Sequence, residues 1–464
     1  MEIGRLEEWR IEAKGNVLYC PPPSRLNPRI KEEAKPLDFG DQKSLDAALS
    51  ESIRCLNESG ILRITRQVRA MIARGETVVN LTVGDFDPRY FPIPKLLAQG
   101  IQDAVARGET NYPTPEGMPA LREAISDYVF RTAGVRYPLD AIVVCSGGRP
   151  VLYGAYRAVV NPGDKVVFSV PSWQNDAYSM LTGAESVVIE AGVETGFQPT
   201  LEQFRPHLGE AAMICLCSPG NPTGTVMSEQ QLGDILRAVV AENVKREAAG
   251  RRPIFILHDQ MYGALVSRGQ KHIFPAAIVP ECARYLISAD GVSKAYAGTG
   301  LRLGWMLVAP AVGARIRDLL SHAGAWAPRA EQSAVAAFLQ NTTAIADFRK
   351  EMDSRIAERL EAMHEGFEEL KGAGYPVDSI NPQGAIYFSA QFQLHGKTVD
   401  GRQLRTDDDI RMLLLERAGA AVVPFQAFGV QGDTGWFRLS AGAVSLDEIR
   451  SLFPRIKALL DEVQ

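Results

Sequence analysis

Seven short apolar runs between residues 141 and 309 constrain the fold of this chain more than any other feature. Each run is rich in β-branched or other apolar residues and is followed by a helix-compatible stretch or a turn, a rhythm typical of strands joined by helices. Such strands form a largely parallel sheet that helices cover on both faces. The pattern therefore predicts an α/β fold around a mostly parallel seven-stranded sheet. Its strands are predicted at residues 141–145, 165–170, 186–191, 212–218, 254–259, 284–290 and 303–309.

The chain has 464 residues, which is too long for one compact core and suits two domains with or without an appendage. In its last quarter the pattern changes to one long charged helix at 344–372 and then to shorter strands such as 385–390. We therefore predict a large domain of residues 91–344. A smaller α+β domain would combine residues 52–90 with 345–464.

Residues 1–51 are predicted to be an N-terminal extension of unknown role. They contain a proline patch at 21–23, and the first 50 residues carry nine acidic and eight basic side chains. The start of the chain is amphipathic and charged, which is unlike a signal peptide. No apolar stretch approaches the roughly 18 to 20 residues that a membrane-spanning helix needs. We therefore expect a cytoplasmic protein.

The composition favours small metabolites as partners. Apolar residues make up 46% of the chain and charged residues 23%, and the formal net charge is −5, so nothing attracts the whole protein to nucleic acid or to an anionic membrane. The six cysteines include no CxxC pair and accompany no histidine cluster. The sequence thus predicts neither a disulfide framework nor a metal site.

Ligands bind at the ends of the strands in such sheets. The polar residues at these places include Lys294, Asp259 and Tyr262, which are our candidates for catalysis. A lysine becomes a nucleophile when desolvation or a cationic neighbour lowers its pKa. An aspartate can keep the nitrogen of a bound pyridine-type cofactor ring protonated. Tyr262 could donate a hydrogen bond to the ring's phenolic oxygen. Taken singly, such a lysine is more often a surface residue, such an aspartate a helix N-cap and such a tyrosine a half-buried packing residue.

A phosphate group would find backbone N–H donors at the turn Ser146-Gly147-Gly148, which precedes a helix predicted to begin near Pro150. Small residues at this turn allow a close approach. Arg302 would add a fixed positive charge. Each feature also has an ordinary alternative. The Ser-Gly-Gly segment could be a simple turn, and Arg302 could be a surface arginine.

Five motifs occur in the order and spacing of the class I/II aminotransferases of fold type I, which are pyridoxal 5′-phosphate enzymes. The chain resembles that family over residues 52–464. The motifs are NYPTPEGMPALREAI (111–125), SPGNPTG (218–224), DQMY (259–262), SKAYAGTGLRLGW (293–305) and FRLSAG (437–442).

Within that family, the SGGR loop, the Ser-Trp pair and Gly291 resemble the prokaryotic aspartate aminotransferase subgroup. Gly291 is also a departure, because many relatives have a hydroxyl residue there as a phosphate ligand. The segment HAGAWAPRAEQ (322–332) departs from the subgroup's Ser/Thr-rich version, which bears on the substrate.

The resemblance implies how the cofactor is held. Lys294 would carry pyridoxal phosphate as a Schiff base and shuttle the substrate proton, and Asp259 would pair with the pyridine nitrogen. Asn221 and Tyr262 would hydrogen-bond the ring's O3′, and Trp173 would stack on the ring.

The phosphate and the subunit arrangement are implied in the same way. Gly147, Gly148, Ser293 and Arg302 would surround the phosphate. Tyr112 matches a tyrosine that reaches the phosphate of the neighbouring subunit. A homodimer with shared active sites is therefore implied.

Arg438 would bind the substrate α-carboxylate through its planar guanidinium. Trp173 and Asn221 would also border the substrate, and Gly84 matches a loop that closes over it. Arg149 follows the glycine turn and could bind a second carboxylate, which would select aspartate or glutamate. A surface arginine at a helix start is the alternative, and Arg329 and His322 could serve the same purpose from the partner subunit.

The leading hypothesis is amino transfer between a dicarboxylic amino acid and a 2-oxo acid. A β-lyase or decarboxylase of the same fold would need the same cofactor residues. A transcription factor with an aminotransferase-like domain would need a basic helix-turn-helix module before it, whereas the extension here is short and nearly uncharged overall.

Overall fold

The computed structural model describes residues 37–56 and 60–464. The chain divides into two units, residues 1–54 and 55–464. In the first unit the described residues are exposed and form two short helices, the first capped by the Asp41 carboxylate, which accepts from Lys43 N. The rest of the predicted extension, with its proline patch at 21–23, lies outside the described residues.

The helices and strands of the described residues run in the following order. The helices are α1 (Gln42–Ala47), α2 (Glu51–Arg54), α3 (Gly60–Ala73), α4 (Lys95–Ala106), α5 (Pro119–Ala133), α6 (Gly148–Val159), α7 (Asn175–Thr182), α8 (Leu201–Phe204), α9 (Glu229–Ala248), α10 (Pro275–Ile278), α11 (Val292–Ala295), α12 (Pro310–His322), α13 (Arg329–Gln340), α14 (Thr342–Gly372), α15 (Asp407–Ala418) and α16 (Leu446–Asp461). The strands are β1 (Val79–Asn80), β2 (Ile142–Cys145), β3 (Lys165–Val170), β4 (Glu185–Glu190), β5 (Ala211–Cys217), β6 (Phe255–Asp259), β7 (Leu286–Gly291), β8 (Gly304–Val308), β9 (Val377–Ser379), β10 (Tyr387–Phe392), β11 (Thr398–Val399), β12 (Arg402–Gln403), β13 (Ala420–Ala421), β14 (Val423–Pro424) and β15 (Trp436–Ser440).

The seven predicted strands form one sheet in the order β2-β8-β7-β6-β5-β3-β4, which confirms the mostly parallel seven-stranded prediction. Strand β8 is the exception, because it runs antiparallel to both of its neighbours. The strand bounds differ from the predicted ones by at most two residues at either end. Helix α6 begins at Gly148, two residues before the predicted start, because proline is tolerated within the first turn of a helix.

Helices cover both faces of this sheet, as alternate side chains of β5 illustrate. Met213 and Cys215 pack into a core cluster with the apolar residues of α6, whereas Ile214 and Leu216 pack with those of α9. Helix α9 starts at a capping box, in which Ser228 and Gln231 each satisfy a backbone donor of the other. Because both faces of inner strands such as β5 are buried, a ligand is expected at the strand ends.

A second, antiparallel sheet in the order β14-β15-β10-β9 lies in the C-terminal part of the chain. Its apolar residues form one core with those of α14, α15 and α16. Strand β1 pairs in parallel with β13 and so joins the segment that precedes the large sheet to the C-terminal part of the chain. Within the described residues, no helix is both long and apolar enough to cross a membrane.

Candidate active site

A cavity of about 600 Å³ opens where β2, β3, β5, β6 and β7 end. Loop 82–85, the start of β10 and the middle of β15 complete its wall. The cavity brings together every predicted site residue except Gly147 and Tyr112. Its lining residues are Ile61, Thr65, Arg69, Thr82, Val83, Gly84, Asp85, Gly148, Arg149, Leu152, Trp173, Asn221, Asp259, Met261, Tyr262, Ser293, Lys294, Thr299, Gly300, Arg302, Tyr387 and Arg438.

Lys294 lies on α11, the single helical turn that follows β7, and its ammonium group points into the cavity. Its Nζ donates a hydrogen bond of 2.5 Å to the Gly84 carbonyl. Burial lowers the pKa of Lys294 to about 8, and the negative charge of Asp85 opposes that shift. The surface-lysine alternative is therefore wrong, and near neutral pH a usable fraction of this amine is unprotonated.

Asp259 is the last residue of β6, and its carboxylate accepts the Met261 amide at 3.0 Å. Burial raises its pKa to about 6, against the opposing effects of that hydrogen bond and of the Lys294 charge. The helix N-cap alternative is wrong, because the next helix, α10, begins only at Pro275. The cavity thus holds a carboxylate that is mostly ionised at pH 7 and is open to a cationic partner.

Tyr262 forms a hydrogen bond of 2.5 Å with the hydroxyl of Tyr387, and both side chains are buried. The two rings meet edge to face, with centroids 5.3 Å apart. Burial raises the pKa of Tyr262 well above its ordinary value, so its hydroxyl stays protonated. Tyr387 was missed from the sequence, because it lies inside the predicted strand 385–390 rather than in a polar segment after a strand.

The predicted phosphate loop has the backbone geometry that an anion site needs. Gly147 precedes α6 with φ 88°, and a Cβ at this position would lie 2.6 Å from Arg302 Nη2. The Arg302 side chain donates to the carbonyls of Thr299 at 2.9 Å and Ser146 at 3.1 Å, which fixes the guanidinium beside the loop. The first residues of α6, whose N–H groups have no acceptor within the helix, line the cavity together with this guanidinium.

Gly291 explains the departure noted in the sequence. A Cβ there would lie 2.8 Å from both the Gly304 Cα and the Leu303 carbonyl oxygen, so the β8 backbone leaves no room for a hydroxyl side chain. Ser293, two residues on, is buried at the cavity wall.

Arg438 is a buried cation at the opposite wall, with 1% of its surface exposed. It donates to Asn221 Oδ1 at 3.1 Å and to the Thr82 carbonyl at 2.6 Å, while its Nε has no partner in the described part of the chain. The guanidinium lies over the ring of Tyr387, 4.6 Å from the centroid. No carboxylate of the described residues pairs with Arg438, so a carboxylate ligand would supply the missing negative charge.

Arg149 is exposed at the second position of α6, and its guanidinium lies 5.4 Å from the Trp173 ring centroid at the cavity wall. Its place is compatible with a substrate contact and with a surface arginine alike. The sequence did not single out Arg69 and Thr65 of α3, which also line the cavity.

Asp85 was also missed, although it directly follows Gly84. Its carboxylate accepts from Thr299 Oγ1 at 2.6 Å and from the Phe86 amide at 2.7 Å. The absence of a side chain at Gly84 matters here, because a Cβ would lie 2.5 Å from the Tyr387 hydroxyl. Loop 82–85 is thereby held against both Lys294 and Tyr387.

Tyr112 lies outside the cavity of its own subunit and is 80% exposed. Its ring meets Trp326 edge to face, with centroids 5.1 Å apart. The neighbouring Ala325 carbonyl accepts from the Ser146 amide at 2.9 Å, so this surface adjoins the predicted phosphate loop. Arg329 lies beside Tyr112, with Nη1 3.5 Å from its carbonyl oxygen, and neither Arg329 nor His322 lines the cavity.

Comparison with known proteins identifies the family. The model of the family "Aminotransferase class I and II" matches residues 76–456. An aspartate aminotransferase of Rhizobium meliloti (strain 1021) is 31% identical over 417 residues, 89% of this chain and 96% of that protein. An aspartate aminotransferase of Streptomyces avermitilis is 30% identical over 422 residues, 90% of this chain and 97% of that protein.

The crystal structure of the aspartate aminotransferase from Rhizobium meliloti has the same fold, with a TM-score of 0.82. It is 29% identical in sequence, and the match covers 90% of this chain and 99% of that one. The predicted fold-type I architecture is therefore confirmed. The chain belongs to the class I and II aminotransferases and is an enzyme that transfers the amino groups of amino acids.

Proposed function

We propose that the cavity binds pyridoxal 5′-phosphate and uses it to transfer the amino group of a dicarboxylic amino acid, such as aspartate or glutamate, to a 2-oxo acid. The observation that carries this proposal is the grouping, in one cavity, of a lysine with a lowered pKa, a half-buried carboxylate with a raised pKa and the predicted phosphate loop. The names of the relatives, which are aspartate aminotransferases, support the choice of substrate.

The cavity residues fit this cofactor. Asp259 is a half-buried carboxylate that accepts only one hydrogen bond from the described residues, which leaves it free to accept from a pyridine nitrogen. At the predicted phosphate loop, Gly147 leaves a space beside the Arg302 guanidinium that an added Cβ would fill. Trp173 supplies an aromatic ring to the cavity wall. When bound, the cofactor supplies a protonated ring that withdraws electrons from the substrate Cα.

Lys294 is proposed to hold the cofactor and to move the proton. Its Nζ, with a pKa near 8, can accept a proton from the substrate Cα. The same Nζ can then donate that proton to the cofactor. Arg438 would bind the α-carboxylate and so orient Cα toward this amine. Asn221 and Tyr262 would hold the ring's phenolic oxygen, with Tyr387 fixing the Tyr262 hydroxyl by its hydrogen bond.

Substrate selection is proposed to rest on Arg149. With Arg438 committed to the α-carboxylate, the exposed Arg149 guanidinium, supported by the Trp173 ring, is available for a second carboxylate. Two guanidinium groups at separate places in one pocket would favour a dicarboxylate over a neutral side chain.

We also propose a homodimer with shared sites, in which Tyr112 serves the partner's phosphate. Its exposure next to the predicted phosphate loop supports this arrangement. The two-domain division is proposed as well, because Gly84 from residues 52–90 and Arg438 from 345–464 both reach the cavity at the end of the large sheet. The cytoplasm is the proposed compartment, and the free thiols of the described cysteines suit its reducing conditions.

A screen of amino acids tests the proposed function. The absorbance of the bound cofactor is followed after each of aspartate, glutamate, alanine and phenylalanine is added alone, and a 2-oxo acid is then added to reverse the change. Reversible conversion, strongest for the dicarboxylates, is the expected result. Release of ammonia or carbon dioxide without a 2-oxo acid acceptor would overturn amino transfer in favour of lyase or decarboxylase chemistry.

A further inference from the structure

Arg349 of α14 donates hydrogen bonds to the backbone next to two site residues at once. Its Nη1 bonds the Ala295 carbonyl at 2.9 Å, and its Nη2 bonds the Ala264 carbonyl at 2.5 Å. Asp353, one turn further along α14, pairs with the same Nη2. With 13% of its side chain exposed, the guanidinium is held in place on several sides.

Both carbonyls belong to the segments that carry the proposed chemistry. Ala295 directly follows Lys294 and is the last residue of α11, a helix of only four residues. A helix so short is marginal by itself, and its final carbonyls have no donor within the helix. Arg349 supplies a donor to one of them from a different part of the chain.

Ala264 lies two residues after Tyr262, in the turn that follows β6. In the same turn the Leu265 amide bonds the Tyr262 carbonyl at 2.7 Å, and the Leu265 carbonyl accepts from Ala385 N at 2.8 Å. The turn therefore connects Tyr262 with the segment leading to Tyr387. A planar guanidinium that bonds both segments fixes the distance between them more firmly than a flexible ammonium could.

We propose that Arg349 is a positioning residue, which sets the placement of the Lys294 amine relative to the Tyr262 ring. In the structure, Lys294 Nζ lies 5.8 Å from the centroid of that ring. The inference rests on the proposed function of these two residues. Arg349 itself does not line the cavity, so it acts through the backbone it binds.

Arg355 offers a matched control on the same helix. It too bonds a backbone carbonyl, that of Tyr90 at 2.5 Å, and pairs with a carboxylate one turn away, Glu351. It contacts neither of the two segments. Loss of Arg355 therefore reproduces the general effect on α14 without the effect on Lys294 and Tyr262.

The test compares Arg349→Met, Arg349→Lys and Arg355→Met with the wild type. For Arg349→Met we expect kcat to fall about tenfold to a hundredfold, the usual effect of misplacing a reacting group, with KM changing much less. The pH midpoint of the cofactor absorbance should shift, and millimolar guanidinium should restore part of the activity. In the cofactor-free protein, amide exchange in 292–296 and 260–265 should accelerate together.

Arg349→Lys keeps the charge but cannot bond both carbonyls in the same geometry, so it should show the same pattern in milder form, and it decides the matter if Arg349→Met does not fold. Arg355→Met should keep the wild-type kcat, midpoint and exchange. Unchanged kcat and exchange in the Arg349 variants, or equal losses in Arg355→Met, would overturn the inference. An inactive wild type would instead contradict the proposed function, and the amide exchange result would still report on the positioning.

Discussion

Replacing Asp259 with Asn should make the cofactor-free protein more stable and the loaded enzyme much slower. Burial raises the pKa of Asp259 from 3.8 to about 6, and a shift of about 2 units costs about 3 kcal/mol when the group is ionised. A cationic partner that keeps this carboxylate ionised must offset that cost. Removing the carboxylate should therefore slow the reaction by about two orders of magnitude, at about 1.36 kcal/mol per tenfold.

The sign of the stability effect follows from linkage. Because folding raises the pKa of Asp259, the folded state binds the proton more tightly, and stability is lost as the pH rises from 3.8 through about 6. Asn is neutral throughout and can still accept the Met261 amide. The advantage of Asp259→Asn should thus be about 3 kcal/mol at pH 7.5 and about half of that at pH 5.

Urea denaturation of the cofactor-free wild type and variant at pH 5 and pH 7.5 gives the difference in the free energy of unfolding. Steady-state kinetics of the reconstituted proteins give the rate. Equal stabilities at both pH values would refute the buried-charge argument, and near-normal turnover of the variant would refute the role of Asp259 opposite the ring.

Three further predictions concern the other site residues. Borohydride reduction of the purified protein should abolish its yellow colour and fix the cofactor mass on one peptide, and the assignment fails if that peptide lacks Lys294. Arg149→Met should lower kcat/KM for aspartate roughly tenfold to a hundredfold while leaving alanine and phenylalanine nearly unchanged, because the exposed guanidinium is only partly desolvated; equal losses on all three would assign Arg149 to the cofactor or the fold. Inactive Tyr112→Ala and Lys294→Ala proteins should regain part of the activity when their subunits exchange, since a mixed dimer keeps one intact site, and demonstrated exchange without any recovery would show that each subunit builds its own site.

The sequence predicted the sheet well because buried strands leave continuous apolar runs, and these runs placed every strand to within two residues at each end. It did not predict that β8 is antiparallel, because an apolar run indicates burial but not direction. The start of α6 was misplaced for a local reason, since Pro150 fits inside the first turn as well as at its beginning.

The site residues predicted from the sequence are those in short motifs that follow strands, such as Asp259 and Lys294. Tyr387 and Arg349 could not be found in this way. Both lie in ordinary strand and helix patterns far along the chain, and only folding brings them to Tyr262, Ala264 and Ala295. Their roles depend on hydrogen-bond geometry, which neither composition nor periodicity encodes.

Arg438 is buried without a matching carboxylate among residues 37–56 and 60–464, and this has a consequence for the resting enzyme. An uncompensated charge in the interior lowers the stability of the free protein, and a bound carboxylate relieves that penalty. If Arg438 binds the substrate carboxylate as proposed, ligand binding and folding are thermodynamically coupled at this arginine, and carboxylate metabolites would stabilise the protein in proportion to the logarithm of their concentration. In a cell that is rich in amino and oxo acids, the folded population would then be set partly by the substrate pool.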